Sequence, residues 1–232
     1  MVYEIWKPLL LTNFKTYLEV TGEKAVRIAK AAEKISKETG VCIVVAPQHV
    51  DLPLVARAVE IPVFAQHIDV NPPGPYTGSI TAEAVKVAGA SGTMLNHAEK
   101  RVTLSDLEKA IQRARVCSLY TAVCADTPRM AAAISLLNPD ILVVEPPELI
   151  GTWKAVSRVK PEVLTLSLKL VRKFNKRVFL VCGAGIKTRE DVKAAVKLGL
   201  DGVGSTTGIV KSPDPVKSLK NMAEELAKGF KC

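Results

Sequence analysis

The chain has 232 residues, a formal net charge of +9 and a hydrophobic fraction of 48%. That fraction is sufficient to build a folded core, which argues against an intrinsically disordered chain. The basic side chains are spread along helical stretches and are not interleaved with aromatic residues, so the charge does not indicate a nucleic-acid-binding protein. A positive field instead suits a small anionic substrate, which it would steer inward.

Localisation and cysteine chemistry follow from two further features of composition. The sequence opens without a secretion-signal pattern, and its most apolar stretch, residues 130–144, is interrupted by Asn138, Pro139 and Asp140. We therefore expect a cytoplasmic protein that does not enter a membrane. The cysteines form no CxxC pair, and we expect reduced thiols that lie mostly in the core. They are Cys42, Cys117, Cys124, Cys182 and Cys232.

Eight short apolar or β-branched runs recur along the chain, and each is followed by polar or glycine-containing sequence. Most of them predict strands that are buried on both faces. The runs cover residues 9–11, 41–46, 62–65, 92–95, 118–124, 141–144, 178–182 and 201–204.

Amphipathic segments lie between these runs and predict helices. In residues 23–40 the apolar side chains recur at helical spacing, and Gly40 supplies a C-terminal stop. Helix starts are predicted at Thr103 and Thr188, because each threonine is followed three residues later by an aspartate in a capping-box pattern. Pro161 fits the first turn of another helix.

Strict alternation of strand and helix predicts parallel strands joined by right-handed crossovers. Such strands can form an open doubly wound sheet or a closed barrel, and eight units favour closure. The first strand runs into Thr12-Asn13-Phe14-Lys15 and not into GxGxxG, which disfavours an open dinucleotide-binding sheet. We predict an α/β fold, with residues 1–232 forming a single (β/α)8 barrel of eight parallel strands and outer helices.

The carboxyl ends of the strands are where a barrel builds its active site, and Glu145 lies at the end of the sixth run. It follows an apolar strand and precedes two prolines, so its carboxylate is expected in a site that can be dry. Desolvation strengthens a carboxylate as a base toward a carbon-bound proton. The alternative is a structural ion pair with a neighbouring lysine or arginine.

Polar residues at two other strand ends would meet Glu145 at the same mouth. His97 follows the fourth run, where a neutral imidazole could polarise a carbonyl and pass protons between adjacent oxygens. Lys15, after the first run, could supply fixed positive charge to an enediolate, and Asn13 could donate a hydrogen bond to the same oxygens. The alternatives are a hydrogen-bonded core histidine, a solvated lysine and a turn asparagine.

Glycine- and hydroxyl-rich turns follow the last two strands, at residues 183–185 and 204–208. Barrels often hold a phosphate at this place through backbone N–H groups and the start of a short helix, although each turn alone could be merely a tight turn. Residues 148–152 are bounded by prolines on one side and are similar to a lid that excludes water. The alternative is an ordered surface loop.

Together these segments resemble the triosephosphate isomerase family, whose fold is the TIM barrel, and the resemblance spans nearly the whole chain. The length and the lid sequence are similar to the shorter archaeal branch. The motifs are Asn13-Phe14-Lys15, Asn96-His97-Ala98-Glu99, Val144-Glu145-Pro146, Leu149-Ile150-Gly151-Thr152 and Cys182-Gly183-Ala184-Gly185.

The resemblance implies interconversion of dihydroxyacetone phosphate and D-glyceraldehyde 3-phosphate in glycolysis and gluconeogenesis, without a metal or an organic cofactor. It implies that Glu145 shuttles the carbon-bound proton, that His97 is the electrophile and that Lys15 is the electrostatic clamp. A glutamate base paired with a neutral histidine is the arrangement known for the family. The remaining implied residues are Asn13 at the substrate, phosphate-binding main-chain groups near Ile150, Gly185, Thr206 and Thr207, and supporting positions Glu99 and Gly151.

The resemblance also implies a homo-oligomer, a dimer or a tetramer, in which the loop around Thr77 inserts into a partner's site. Several positions depart from the family pattern. Gly185 falls where many members have serine, residues 206–207 where many have two glycines, and Ser79 where an acidic residue is frequent. Trp153 replaces a glycine that commonly follows the lid, so it could alter lid motion.

Two other functional classes remain as alternatives. One is another phosphate-binding barrel enzyme, but the predicted strands contain no lysine that could form a Schiff base. In addition, His49, His67 and His97 are not grouped with carboxylates as metal ligands would be. The second is an inactive barrel that serves as a basic binding scaffold.

Overall fold

The computed structural model describes residues 4–152 and 154–230. Eight parallel strands form a nearly closed barrel with helices outside it, which confirms the predicted fold class. The strands are β1 Leu9–Asn13, β2 Cys42–Ala46, β3 Phe64–Ala65, β4 Gly92–Leu95, β5 Tyr120–Ala125, β6 Ile141–Val144, β7 Phe179–Cys182 and β8 Gly202–Gly204.

The barrel is joined around most of its circumference by ladders of parallel strands. The order of hydrogen-bonded neighbours is β2-β1-β8-β7-β6-β5-β4-β3. The two ends of this order meet at a single bridge between Val45 and Val63, where the Val45 N–H donates to the Pro62 carbonyl at 3.2 Å. The seam between β2 and β3 is therefore the least paired part of the wall.

The outer layer consists of helices that begin and end largely where the sequence predicts. Gly40 ends the first helix in a left-handed conformation with φ 73°, and Pro161 occupies the first turn of the seventh. The helices are α1 Glu23–Thr39, α2 Leu52–Ala58, α3 Ala82–Val87, α4 Leu104–Val116, α5 Pro128–Ser135, α6 Val156–Val159, α7 Pro161–Phe174, α8 Arg189–Lys197, α9 Thr207–Val210 and α10 Pro215–Phe230.

The two predicted capping boxes differ. At Thr188 both halves form, with the threonine side chain accepting from the Asp191 N–H and the Asp191 carboxylate accepting from the Thr188 N–H. At Thr103 the side chain accepts from the Asp106 N–H, but its hydroxyl donates to the Asp106 carboxylate. That carboxylate is thereby turned toward the hydroxyl, so the structure gives α4 a simple N-cap in place of the predicted full box.

Side chains alternate between two buried layers along each strand. Leu9 and Leu11 belong to the cluster inside the barrel, whereas Leu10 packs between the strands and the helices. In β6, Ile141 and Val143 point inward in the same way. Each large apolar side chain that is fully buried stabilises the fold by about 1.5–3 kcal/mol. The alternation also points a side chain two residues beyond the last inward position of a strand toward the mouth.

The predicted fifth strand begins two residues too early. Ser118 has φ 52° and its N–H donates to the Arg115 carbonyl, so it closes the end of α4 and the strand starts at Tyr120.

The thiols of Cys42, Cys124 and Cys182 are free and buried, as predicted, and Cys117 is free and half-buried. Cys232 and Trp153 lie outside the described residues. Of the helices that the structure describes, none has the length and apolar character to cross a membrane.

Candidate active site

Glu145 extends β6 by one residue and continues its inward alternation. Its N–H donates to the Ala125 carbonyl at 2.8 Å, which fixes the backbone against β5. Its side chain is 12% exposed. The Oε2 atom is buried and has no hydrogen-bond partner among the described residues. A buried acceptor without a partner is unusual in a stable core, and it leaves this oxygen available to a ligand.

Two neighbours hold the Glu145 carboxylate in place. Gly183 follows β7, and a Cβ at this position would overlap the Glu145 carboxylate, so only glycine leaves the required space. Cys124 points inward from β5, and its thiol hydrogen-bonds to Glu145. Burial raises the pKa of the Cys124 thiol well above its usual value, as do the nearby Glu145 charge and this hydrogen bond, so the thiol keeps its proton.

Both of these contacts were missed by sequence reasoning, which treated Cys124 as a core thiol and Gly183 as part of a turn. For Cys124 a signal was present in the alternation of β5, because an inward residue near the carboxyl end of a strand faces the mouth. For Gly183 the same alternation continues from Val181 on β7. Neither signal specifies the carboxylate as the partner, since that depends on the register between strands.

His97 lies just past β4, on a turn that Asn96 makes with φ 57°. The Asn96 side chain stabilises this turn by donating from Nδ2 to the Cys124 carbonyl at 3.0 Å. The His97 Nδ1 atom accepts from the Glu99 N–H at 3.2 Å. The Glu99 N–H can donate to Nδ1 only when that nitrogen carries no proton, so this contact favours the tautomer with the proton on Nε2. Nε2 lies 3.5 Å from the Glu145 Oε2 atom.

Lys15 lies on the loop after β1 in a left-handed conformation with φ 49°. The Asn13 Oδ1 atom accepts from the Lys15 N–H at 2.9 Å and so helps to fix this turn. The Lys15 Nζ atom is 2.6 Å from the Glu99 Oε1 atom, and the lysine side chain is only 12% exposed. Glu99 therefore connects the lysine to the loop that carries His97, which agrees with the predicted position of Glu99 beside Lys15.

The turns after β7 and β8 bring backbone N–H groups to the same mouth. α9 begins at Thr207 and is separated from the end of β8 only by Ser205 and Thr206. Within the ranges 4–152 and 154–230, the N–H groups of Gly185, Thr206 and Thr207 donate no hydrogen bond to another residue. They are free to bind an anion, since a phosphate oxygen is a strong acceptor.

The predicted lid segment, residues 148–152, reaches the mouth through Ile150 and Gly151. Pro147–Leu149 is a 3-10 turn whose Leu149 side chain is buried, and Glu148 forms an ion pair with Lys160 at the start of α7. Beyond the lid, a Cβ at position 185 would overlap the Lys154 carbonyl. The absence of a side chain at Gly185 thus allows the chain that follows the lid to lie close to β7. The predicted effect of Trp153 on this lid concerns a residue outside the described part of the chain.

These elements enclose one small cavity of about 30 Å³ at the mouth. The predicted residues that line it are Asn13, Lys15, His97, Glu145, Ile150, Gly151, Gly185, Thr206 and Thr207. Glu99 does not line the cavity, but it contacts two residues that do, Lys15 and His97. Sequence reasoning did not name the apolar floor, formed by Leu11, Met94 and Val143. Ser205, in the predicted turn at residues 204–208, also lines the cavity, and its hydroxyl donates to the Ile186 carbonyl at 2.7 Å. The inward alternation of the strands predicts the floor in general but not its members.

The loop around Thr77 protrudes from the barrel wall. Its ends are paired, because the Asp69 N–H donates to the Ile80 carbonyl at 2.8 Å and the Asp69 carboxylate accepts from the Ile80 N–H at 2.7 Å. The Asn71 side chain also donates to Ser79 at 2.8 Å. Thr77 is exposed at the tip. Its place at an interface stays a prediction.

Comparisons with known proteins identify the family of the chain. A family model described as triosephosphate isomerase matches residues 8–223. A triosephosphate isomerase from Methanothermobacter thermautotrophicus is 48% identical over 219 residues, which cover 94% of this chain and 96% of the relative. One from Pyrobaculum islandicum has the same identity and coverage, and one from Methanocaldococcus jannaschii is 46% identical over 214 residues, 92% of this chain and 98% of the relative.

A solved structure, triosephosphate isomerase from Bartonella henselae, superimposes with a TM-score of 0.74 and 18% identity. It covers 94% of this chain and 98% of its own, and at that identity it supports the fold alone. The match of the family model over most of the chain, and relatives near half identity over nearly their whole length, carry the assignment. The chain is an isomerase and belongs to the triosephosphate isomerase family.

Proposed function

We propose that this enzyme interconverts dihydroxyacetone phosphate and D-glyceraldehyde 3-phosphate through an enediolate intermediate, in glycolysis and gluconeogenesis. The observation that carries the proposal is the pair formed by Glu145 and His97, whose Oε2 and Nε2 atoms lie 3.5 Å apart in one buried cavity beside Lys15. A base, a neutral hydrogen-bond donor and a fixed cation are the three groups that this proton transfer requires.

Glu145 is the proposed base. Its Oε2 atom is buried and unpartnered among the described residues, so it can take the proton from one substrate carbon and return it to the next. Gly183 and Cys124 restrict where the carboxylate can lie, which reduces the reorganisation needed for the transfer. Positioned general bases of this kind accelerate proton transfer about 10²- to 10⁴-fold.

His97 is the proposed electrophile. Because its Nδ1 atom accepts from the Glu99 N–H, the Nε2–H is directed to the cavity and can donate to the carbonyl oxygen of the substrate. A neutral imidazole can also pass a proton between the two oxygens of the enediolate. Lys15 would stabilise the negative charge that develops on these oxygens, and Asn13 would hold the substrate beside it.

Phosphate would be bound by main-chain groups near Ile150, Gly185, Thr206 and Thr207. The observation behind this proposal is that the last three have N–H groups without a partner in the described part of the chain. The cavity of about 30 Å³ holds one or two water molecules and not a triose phosphate. We therefore infer that the lid, with Gly151 in a left-handed conformation at φ 75°, opens to admit substrate and closes to exclude water.

Three further features belong to the same proposal. The mechanism needs only side chains and main-chain groups of this chain, without a metal or an organic cofactor. Residues 1–232 would act as one catalytic domain in the cytoplasm. The exposed loop around Thr77, whose ends are tied by Asp69, would contact a second copy in a homodimer or a homotetramer.

A coupled assay with glyceraldehyde 3-phosphate tests this function. We expect rapid turnover by the wild type and a loss of about 10³-fold or more in kcat for Glu145→Gln, because the amide cannot accept the carbon-bound proton. Glu162→Gln on α7 is the matched control, since Glu162 is exposed and does not line the cavity at the mouth. Absent wild-type turnover would indicate another barrel enzyme or an inactive scaffold, and full activity of Glu145→Gln would refute the assigned base.

A further inference from the structure

A second and much larger cavity lies at the opposite end of the barrel, where the strands begin. Its volume is about 580 Å³, within the range of about 300–1,000 Å³ typical of small-molecule sites. It opens between α3 and α4. Its inner wall includes Ser91, directly before β4, and Leu119, directly before β5. His97 and Cys124 lie at the other ends of these two strands, so the cavity is separate from the candidate active site.

Small residues lie at one side of this space, and two contacts link the helices beside it. Ala56 on α2 and Gly89 and Ala90 before β4 line the cavity, and Gly89 packs closely against Ala56, since a Cβ at position 89 would lie 2.8 Å from the Ala56 Cβ atom. The Lys86 Nζ atom donates to the Ser118 carbonyl at 2.9 Å, which links α3 to the end of α4. An ion pair between Glu83 and Arg113 links the same two helices one turn nearer their starts.

The charges that face the cavity favour an anion. Lys86 and Arg115 both line it, and each makes one hydrogen bond to a main-chain carbonyl in the described part of the chain. An ammonium has three donors and a guanidinium five, so both cations can bind a further acceptor. The opposing charge is Asp140, whose Oδ2 atom already accepts from the N–H and the hydroxyl of Thr121. Tyr120 adds a phenol.

Apolar residues form a further part of the wall. Ile111 and Leu119 are buried and line the cavity, and outside its lining Val87 and Val116 at the ends of α3 and α4 are strongly exposed, at 90% and 75%. Apolar surface beside two cations matches a ligand with an apolar body and one negative group. We propose that this cavity, defined by its lining residues Ala56, Lys86, Ala90, Ile111, Arg115 and Leu119, binds a small organic anion of that kind, such as an aromatic or acyl carboxylate, sulfonate or phosphate ester.

Fluorescence titration of the native protein tests the site. The probe is 8-anilinonaphthalene-1-sulfonate, an aromatic body with one sulfonate, and N-phenyl-1-naphthylamine is its uncharged counterpart. We expect the Kd of the sulfonate probe to rise about 10-fold or more in Lys86→Met/Arg115→Met, a loss of about 1.4 kcal/mol or more, while the neutral probe binds as before. Lys109→Met, an exposed charge removal on α4 outside the cavity, is the matched control and should change neither Kd.

A second variant tests the apolar part independently. Ala56→Leu reduces the cavity volume and should weaken both probes, and circular dichroism would establish that each variant is folded. Equal sulfonate affinity in the wild type and in Lys86→Met/Arg115→Met would overturn the proposal. So would displacement of the probe by glyceraldehyde 3-phosphate, since the probe would then occupy the mouth. Sulfonate fluorescence that rises only as the protein unfolds would overturn it as well.

Discussion

The two ends of the barrel differ in the volume of their cavities and in the polarity of the residues that line them. At the carboxyl ends of the strands, polar groups crowd a cavity of about 30 Å³, whereas the amino end contains about 580 Å³ of mostly apolar space. We place the proposed chemistry in the smaller cavity, where Glu145, His97 and Lys15 converge. Under that proposal, catalysis depends on the density of directed polar groups and not on cavity volume.

Two carboxylates, one at each end of the barrel, differ in how completely they are satisfied. Glu145 at the mouth keeps one buried oxygen without a partner among the described residues. Asp201, at the amino end just before β8, has both oxygens engaged: Oδ1 lies 2.6 Å from the Lys7 Nζ atom, and Oδ2 lies 2.6 Å from the Arg172 Nη2 atom. Oδ2 also accepts from the Leu180 N–H at 2.8 Å. An unsatisfied carboxylate is available for chemistry, and a saturated one stabilises the fold.

The largest effect is expected from a charge at the mouth. Lys15→Met should lower kcat/KM about 10³-fold, equivalent to about 4 kcal/mol of transition-state stabilisation, because the developing negative charge loses its fixed cation. The free energy of unfolding should change by less than about 1 kcal/mol, since the pair with Glu99 is partly exposed. Steady-state kinetics and urea denaturation measure the two effects. Lys24→Met on α1 is the control, and equal kinetics for both variants would contradict the role of Lys15.

Asp201→Asn should have the opposite effect to Lys15→Met: a large loss of stability and little loss of activity. Removing the carboxylate leaves Arg172 and Lys7 without their anion, and we expect the free energy of unfolding to fall by about 3 kcal/mol. The kcat of the folded enzyme should stay within about twofold of wild type. Urea denaturation and the coupled assay report these values. A large fall in kcat with unchanged stability would break the distinction between the two ends.

A pair of glycines gives a smaller and more direct comparison. In Gly183→Ala the new Cβ displaces the Glu145 carboxylate, so kcat should fall about 10- to 100-fold with little change in KM. In Gly92→Ala the new Cβ meets the Phe64 ring and the Tyr120 carbonyl at the amino end, so the free energy of unfolding should fall by about 1–3 kcal/mol. If Gly92→Ala lowered kcat as much as Gly183→Ala, steric change alone would explain both.

The smallest effect is expected in the pH dependence of stability at the rim of the mouth. Burial lowers the pKa of His67, although its hydrogen bond to Asp69 acts in the opposite direction, as does the Asp69 charge. The unfolded chain therefore binds more protons than the folded chain just below pH 6.5, and the stability contributed by neutral His67 is lost as the pH falls through that value toward the folded pKa.

His67→Gln should remove this dependence, which we expect to be less than about 1 kcal/mol between pH 7 and pH 5.5. The other groups that act on His67 are Lys100 and His49, whose Nε2 atom lies 2.8 Å from the His67 carbonyl. Thermal unfolding of both proteins over this range isolates the difference, because these neighbours are common to the two. If the stability of the wild type and of His67→Gln changed with pH in the same way, His67 would not be the source of this dependence.

Much of the fold followed from local patterns. The eight strands, the stop of α1 at Gly40 and the complete capping box at Thr188 all depend on residues within a few positions of each other. Errors occurred where a single backbone conformation mattered. The left-handed turn at Ser118 shortened β5 at its start, and the Thr103 hydroxyl turned the Asp106 carboxylate away from its expected partner.

The sequence predicted which residues line the candidate site more fully than it predicted the contacts between those residues. Alternation along β6 aims Glu145 inward, and the ends of parallel strands must meet at one mouth. The tautomer of His97, however, depends on a hydrogen bond from the Glu99 N–H, and the position of the Glu145 carboxylate depends on Gly183 and Cys124. The amino-end cavity left no sequence signal, since it arises where side chains are small in segments that are distant along the chain.

The sequence by itself thus determined an alternating parallel α/β barrel and the strand ends that carry its polar groups, because periodicity, capping and strand breaks are properties of short segments. Only the tertiary structure decided which groups touch. Lys15 and Glu99 are 84 residues apart yet form a 2.6 Å ion pair, and no local pattern specifies that distance. Closing the barrel fixes the register of all eight strands together, and that register sets both the geometry at the mouth and the space at the opposite end.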